Sequence, residues 1–183
     1  MNLINGAISV LSSEPTISYR AGVVDQFITI EGLKVADLAE GFSFSFAFNF
    51  DGPTAIISNI RPLIFSLTDR SFITFQVFIR GDSLLARVIK ENDSSSIATL
   101  CQTLPSGSWH RCSANVTFYE DNIAAIVFNL DEKKDSYYSV NFPNFEKNDL
   151  VIQLGGIAEI AGESDLSNFV CLISGFKLFG CVL

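Results

Sequence analysis

The chain has 183 residues, 48% hydrophobic and 17% charged, a balance that excludes a disordered polypeptide and suits one packed domain over 1–183. Its net charge is −8, and the 12 basic residues are scattered, with Lys133-Lys134 the one adjacent pair. Nucleic-acid, heparin and anionic-lipid surfaces need concentrated positive charge, so these partner classes are disfavoured.

From the N-terminus, residues 1–11 are mildly apolar but lack a basic n-region and a cleavage site, so they do not read as a signal peptide. A secreted protein of this sequence would be a mature form or an excised domain. The first strand signal lies at 26–31, and 33–39 suits one or two helical turns. Residues 41–50 read GFSFSFAFNF, with phenylalanine at every second position and small or polar residues between. Strict alternation of this kind specifies a strand with one buried face. The pattern returns at 71–80, where Ile73, Phe75, Val77 and Ile79 oppose Thr74, Gln76 and Arg80. Further strands are predicted at 63–67, 83–90, 97–103, 109–118, 123–130, 137–141, 150–154 and 170–179. Turn residues separate them, as in Asp51-Gly52-Pro53, Gly81-Asp82, Asn92-Asp93-Ser94 and Glu120-Asp121-Asn122. Many short strands without a long helix predict an all-β sandwich or barrel. No run of about 20 apolar residues offers a membrane-spanning helix.

Four cysteines fit two disulfides in an oxidising compartment. In a hairpin centred between Ser106 and Gly107, Leu104 would face Trp109 and Cys101 would face Cys112, within disulfide reach. Cys171 and Cys181 remain by elimination, and joining them needs a bend, for which Ser174-Gly175 is the obvious place. The sequons at Asn92 and Asn115 suit the same compartment. Asn115 alternates with Ser113, Thr117 and Tyr119, the outer face of a strand.

Chemistry-bearing residues are sparse. His110, the one histidine, follows Trp109, the one tryptophan. A general base needs an orienting group and a nucleophile, and no such constellation is legible, so His110 reads as structural. Glu159, Glu163 and Asp165 lie in a loop-like stretch rather than on an alternating strand, unlike the carboxylate pair of a glycosidase. There is no C-x-x-C motif to suggest zinc or redox catalysis. No enzymatic activity is expected.

The run Leu104-Pro105-Ser106-Gly107-Ser108-Trp109-His110 resembles the Leu-turn-Trp-His pattern of laminin G-like (LNS) domains and the related thrombospondin N-terminal-like domains. Three later segments match in order: 126–131, Gly155-Gly156 after the apolar 150–154, and the closing 169–176. Val170 departs from the family's usual glycine, and the Cys101–Cys112 pair is not a general family feature. The resemblance implies an antiparallel jelly-roll sandwich of the concanavalin or laminin G-like type, with Trp109 in its core. It implies an extracellular recognition module, secreted or part of an ectodomain, that binds a protein partner through rim loops or a sheet face. It also implies calcium as a possible cofactor at one rim, with Asp93 as a ligand and Asp165 or Asn168 as a second. Two alternatives accompany this reading. One is a carbohydrate-binding, lectin-like module with Tyr137-Tyr138 as its aromatic platform; the other is an assembly domain of a larger matrix chain.

Overall fold

The computed structural model describes residues 2–4, 7–9, 17–20, 27–38, 40–51, 60–69, 73–90, 93–101, 103–131, 136–142, 145, 149–160 and 170–180. Its strands run β1 (Asn2–Ile4), β2 (Ala7–Ser9), β3 (Ile17–Arg20), β4 (Phe27–Lys34), β5 (Gly41–Asp51), β6 (Ile60–Thr68), β7 (Ile73–Arg80) and β8 (Ser83–Lys90). They continue as β9 (Asp93–Cys101), β10 (Trp109–Tyr119), β11 (Ile123–Leu130), β12 (Ser136–Asn141), β13 (Asp149–Gly155), β14 (Ile157–Ile160) and β15 (Val170–Phe179). One sheet, here called the front sheet, has the order β1-β2-β15-β5-β10-β11-β12, with β3 also on β15; the back sheet has β4-β13-β6-β7-β8-β9, with β14 also on β6. Every pairing is antiparallel, and the chain crosses repeatedly between the sheets. The protein is an all-β sandwich of jelly-roll type. The predicted helical turn is a 3-10 turn at Val35–Leu38, with the Lys34 amide donating to Asp37 Oδ2 at 2.9 Å.

The alternation in β5 builds the core. Phe42, Phe44, Phe46, Phe48 and Phe50 all point inward and are buried. The Phe44 ring meets Phe65 of the back sheet edge-on at 4.8 Å, and Phe42 meets Phe75 at 5.4 Å. Edge-to-face contact suits the aromatic quadrupole and adds to the gain from apolar burial. The opposite face of β5 carries Ser43, Ser45, Ala47 and Asn49, so the centre of the front sheet has little side-chain bulk on its outer side.

The expected hairpin between Cys101 and Cys112 does not form. Cys101 ends β9 opposite Leu84 in the back sheet, whereas Cys112 on β10 faces Phe46 and Leu130 in the front sheet. The connecting segment bridges the sheets instead. The Leu104 amide donates to the Asp82 carbonyl at 2.7 Å, the Gly107 amide donates to the Phe50 carbonyl at 2.8 Å, and Thr103 turns with φ 59°. Two orphan amides of the arch are thus satisfied by different sheets, which outweighs the local symmetry of the sequence. Among the described residues, Cys101, Cys112 and Cys171 are not joined to one another by disulfides. Cys181 lies outside those residues.

Trp109 is also displaced from its expected place. It is 48% exposed, while His110 beside it is only 4% exposed. Along β10 the inward positions are His110, Cys112, Ala114 and Val116, so Trp109 and Arg111 belong to the outer face.

The bend expected near Ser174-Gly175 is present as a register shift between Ser174 and Lys177, with Gly175 at φ 61°. It resolves a parity conflict. Cys171 and Ile173 before it, and Phe176 and Leu178 after it, are all buried, which an unbroken period-two strand cannot achieve.

Candidate functional site

The outer face of the front sheet holds two adjoining depressions of about 480 and 500 Å³, within the usual range for ligand sites. They share Ala47, Arg111 and Ser174, and so form one groove crossing β15, β5, β10 and β11. Register explains its floor. Ala47 lies between Arg111 and Ser174, and Ser45 between Ser113 and Lys177. The small side chains on β5 and the bulge on β15 leave a channel, while Trp109 stands at one end and Asn129 and Asp131 continue the lining on the far side.

Asp131 organises one wall. Its Oδ1 accepts from the Arg111 amide at 2.7 Å, and its own amide donates to the Arg111 carbonyl at 2.9 Å. Its Oδ2 lies 2.7 Å from His110 Nδ1, and His110 Nε2 lies 2.9 Å from the Pro105 carbonyl. Both ring nitrogens therefore face oxygen atoms, one of a carboxylate and one of the backbone. The His110 ring is also packed near Phe48 and Phe50, with centroids at 5.4 and 6.4 Å. Although a His–Asp pair has part of the form of a catalytic triad, the second nitrogen is spent on a backbone carbonyl rather than a nucleophile. As placed, His110 ties the arch to β11 and fixes Trp109 and Arg111 on either side of itself.

Beneath the groove, burial pushes the Cys112 thiol well above its ordinary pKa, and the Asp131 carboxylate and Cys101 add to that rise. Such a thiol stays protonated and is a poor nucleophile.

The remaining sequence candidates among the described residues lie on separate strands. Asn115 lies on the outer face of β10, opposite Ser43 and Val127, in the position expected from alternation. Asp93 opens β9 opposite Lys90, and Glu159 lies on β14 opposite Arg61 in the back sheet, away from the groove. Asn92, Glu163, Asp165 and Asn168 fall outside the described residues. Among the described residues, no three His, Cys, Asp or Glu side chains gather as a metal site. Of the tyrosine pair, Tyr137 is 67% exposed, but Tyr138 is partly buried and donates its hydroxyl to the Leu100 carbonyl at 3.1 Å, linking β12 to β9. The exposed aromatic residue at the groove is Trp109. Sequence reasoning placed Ser113 and Asn115 on the outer face, and the same parity would have placed Trp109 there. Lys177 left no such signal, because the bulge inverts the alternation before it.

No family model matches the chain, and no curated protein matches it. Solved structures do. An endo-β-1,4-glucuronan lyase from the fungus Trichoderma reesei is 15% identical, with TM-score 0.59 over 94% of this chain and 85% of the lyase. The binding domain of Paraclostridial Mosquitocidal Protein 1 is 12% identical, with TM-score 0.64 over 100% of this chain and 44% of that domain. The binding domain of botulinum neurotoxin DC, solved in complex with SialylT, is 12% identical, with TM-score 0.60 over 97% of this chain and 43% of that domain. The likeness shows the fold. The chain spans less than half the length of these two toxin domains.

Proposed function

We propose that this chain is a carbohydrate-recognition module that holds a saccharide in the groove of the front sheet, without a chemical step. The observation that carries the reading is the shape and lining of the groove. A floor of Ser45, Ala47 and Ser174 admits a flat, hydroxylated ring, and half-exposed Trp109 offers an apolar face for it to lie against. Arg111, Ser113, Asn129 and Lys177 surround that floor with donors and acceptors for hydroxyl groups. A binding role agrees with the toxin binding domains that share the fold, one of them solved in complex with SialylT. The laminin G-like pattern around Trp109-His110 supports placing the module outside the cell, where its sequons would be used.

A protein ligand is the second reading, favoured by a separate observation. Tyr119, Ile123 and Tyr137 are large, exposed side chains on β10, β11 and β12, outside the groove lining. Exposed aromatic side chains of this kind serve as anchors in protein interfaces.

A glycan array followed by calorimetric titration separates the two. On the carbohydrate reading, wild-type protein retains at least one sugar, and Trp109→Ala weakens that binding tenfold or more while the melting temperature stays unchanged. Failure to retain any arrayed glycan, or a Trp109→Ala variant that binds as well as wild type, sinks it.

A further inference from the structure

We propose that the groove selects a carboxylated sugar, with the acid group held by the Arg111 guanidinium and a second positive charge supplied by Lys177 across β5. This inference rests on the carbohydrate reading above and specifies its ligand class.

The first support is local charge. The chain carries −8 overall, yet the charged residues lining the groove are Arg111, Lys177 and Asp131. Asp131 does not simply offset the two cations. One of its oxygens accepts the Arg111 amide and the other contacts His110 Nδ1, so the carboxylate is engaged in holding the wall. Neither the Arg111 guanidinium nor the Lys177 ammonium has a side-chain partner among the described residues. Two cations without a side-chain partner among the described residues, in one depression of an acidic protein, produce a local attraction for anions, and a concave low-dielectric wall strengthens it.

Geometry narrows the anion. The Arg111 backbone is clamped in both directions by Asp131, at 2.7 and 2.9 Å. Its side chain therefore starts from a fixed point on the groove wall. A guanidinium presents a planar fork of donors that matches a carboxylate in bidentate contact. Lys177 is two strands away and offset by one pleat, since Arg111 pairs with Ala47 while Lys177 pairs with Ser45. Two strand spacings amount to roughly 10 Å, with the small residues of β5 between the cations. A single sugar ring does not fill that span. An acidic oligosaccharide lying across the strands does, placing one carboxylate at Arg111 and its continuation near Lys177.

Carboxylated sugars come from two sources, polyuronates and sialylated glycans, and titration distinguishes them. Wild type, Arg111→Gln and Lys177→Gln are titrated with an oligoglucuronate, with sialyllactose, and with a neutral cello-oligosaccharide of matched length. The expected result is at least tenfold tighter binding of one acidic sugar than of the neutral one, and that sugar identifies the source. Arg111→Gln then loses about ten- to a hundredfold on the acidic ligand and less, about threefold, on the neutral ligand, where only a hydrogen bond to a hydroxyl is lost, so the acidic preference shrinks. Lys177→Gln loses less, about threefold, as expected for an exposed point charge, and added salt narrows the acidic preference. Equal binding of acidic and neutral sugars, with Arg111→Gln changing neither, overturns the acid selectivity and leaves the carbohydrate reading standing. Tighter binding of a sulfated oligosaccharide than of either carboxylated one also overturns it. No binding of any sugar by wild type removes both proposals together. Unchanged thermal melting of Arg111→Gln and Lys177→Gln confirms that altered affinity does not come from unfolding.

Discussion

The outer faces of the two sheets treat an arginine in opposite ways. On the back sheet, Arg87 is 8% exposed, donates from Nε to Gln76 Oε1 at 2.8 Å, and lies 4.9 Å above the Phe78 ring. Beside it, Leu63, Phe78 and Leu85 form a small buried cluster separate from the main core. On the front sheet, Arg111 is exposed and stands over serine and alanine. The back face meets its own needs by packing and hydrogen bonding, whereas the front face leaves donor capacity unspent. A cation satisfied within its sheet serves stability; one that is held by its backbone but left open at its tip is available to a ligand.

Substitutions can break that contrast. Phe78→Ala carries the largest expected effect. It removes a fully buried ring from the back face and should cost about 3–5 kcal/mol in denaturant unfolding, while glycan affinity of the folded fraction stays unchanged. A loss below about 1 kcal/mol would mean that the back face is not a packed structural surface. His110→Ala comes next. It leaves the Pro105 carbonyl unpaired and Asp131 without its imidazole, for an expected loss of about 2–3 kcal/mol. Binding should fall with it, because Trp109 and Arg111 flank the lost tether. Full retention of both stability and affinity would remove His110 from the account of the groove. The smallest effects sharpen the comparison itself. Arg87→Met should cost about 1–2 kcal/mol through the lost hydrogen bond and ring contact, while Arg111→Gln should stay within about 0.5 kcal/mol. The reverse order of the two would invalidate the division between a structural and a functional face.

The phenylalanine ladder of β5 was legible in the sequence because a buried face imposes period two on neighbouring residues, without reference to distant partners. The same local rule located β7, β10 and β11. It failed between Cys101 and Cys112, where the symmetry around Ser106-Gly107 suggested a hairpin. What decides that segment is the hydrogen bonding of Leu104 to Asp82 and of Gly107 to Phe50, residues remote in sequence. Trp109 was misplaced for a different reason. The laminin G-like resemblance put it in the core, but the parity of β10 assigns the inward positions to His110 and Cys112. The groove as a whole was invisible to sequence reasoning, since its floor depends on β5 lying between β10 and β15. Neither neighbour is adjacent to β5 in the chain. The bulge that opens one side of it was foreseen at Ser174-Gly175, though as a bend for a disulfide rather than as part of a binding surface.

The position of β5 also governs when the groove comes into being. Phe46 must find Cys112, and Phe48 must find both His110 and Ile173, before the floor between Arg111 and Lys177 is complete. Long-range pairings of this kind carry the loop-closure entropy that makes β-sandwiches fold slowly. During synthesis, β5 emerges with its phenylalanines exposed and waits for most of the chain before both its edges are covered. A chain in which β15 has not yet paired with β5 lacks the Ser174, Gly175 and Lys177 side of the groove.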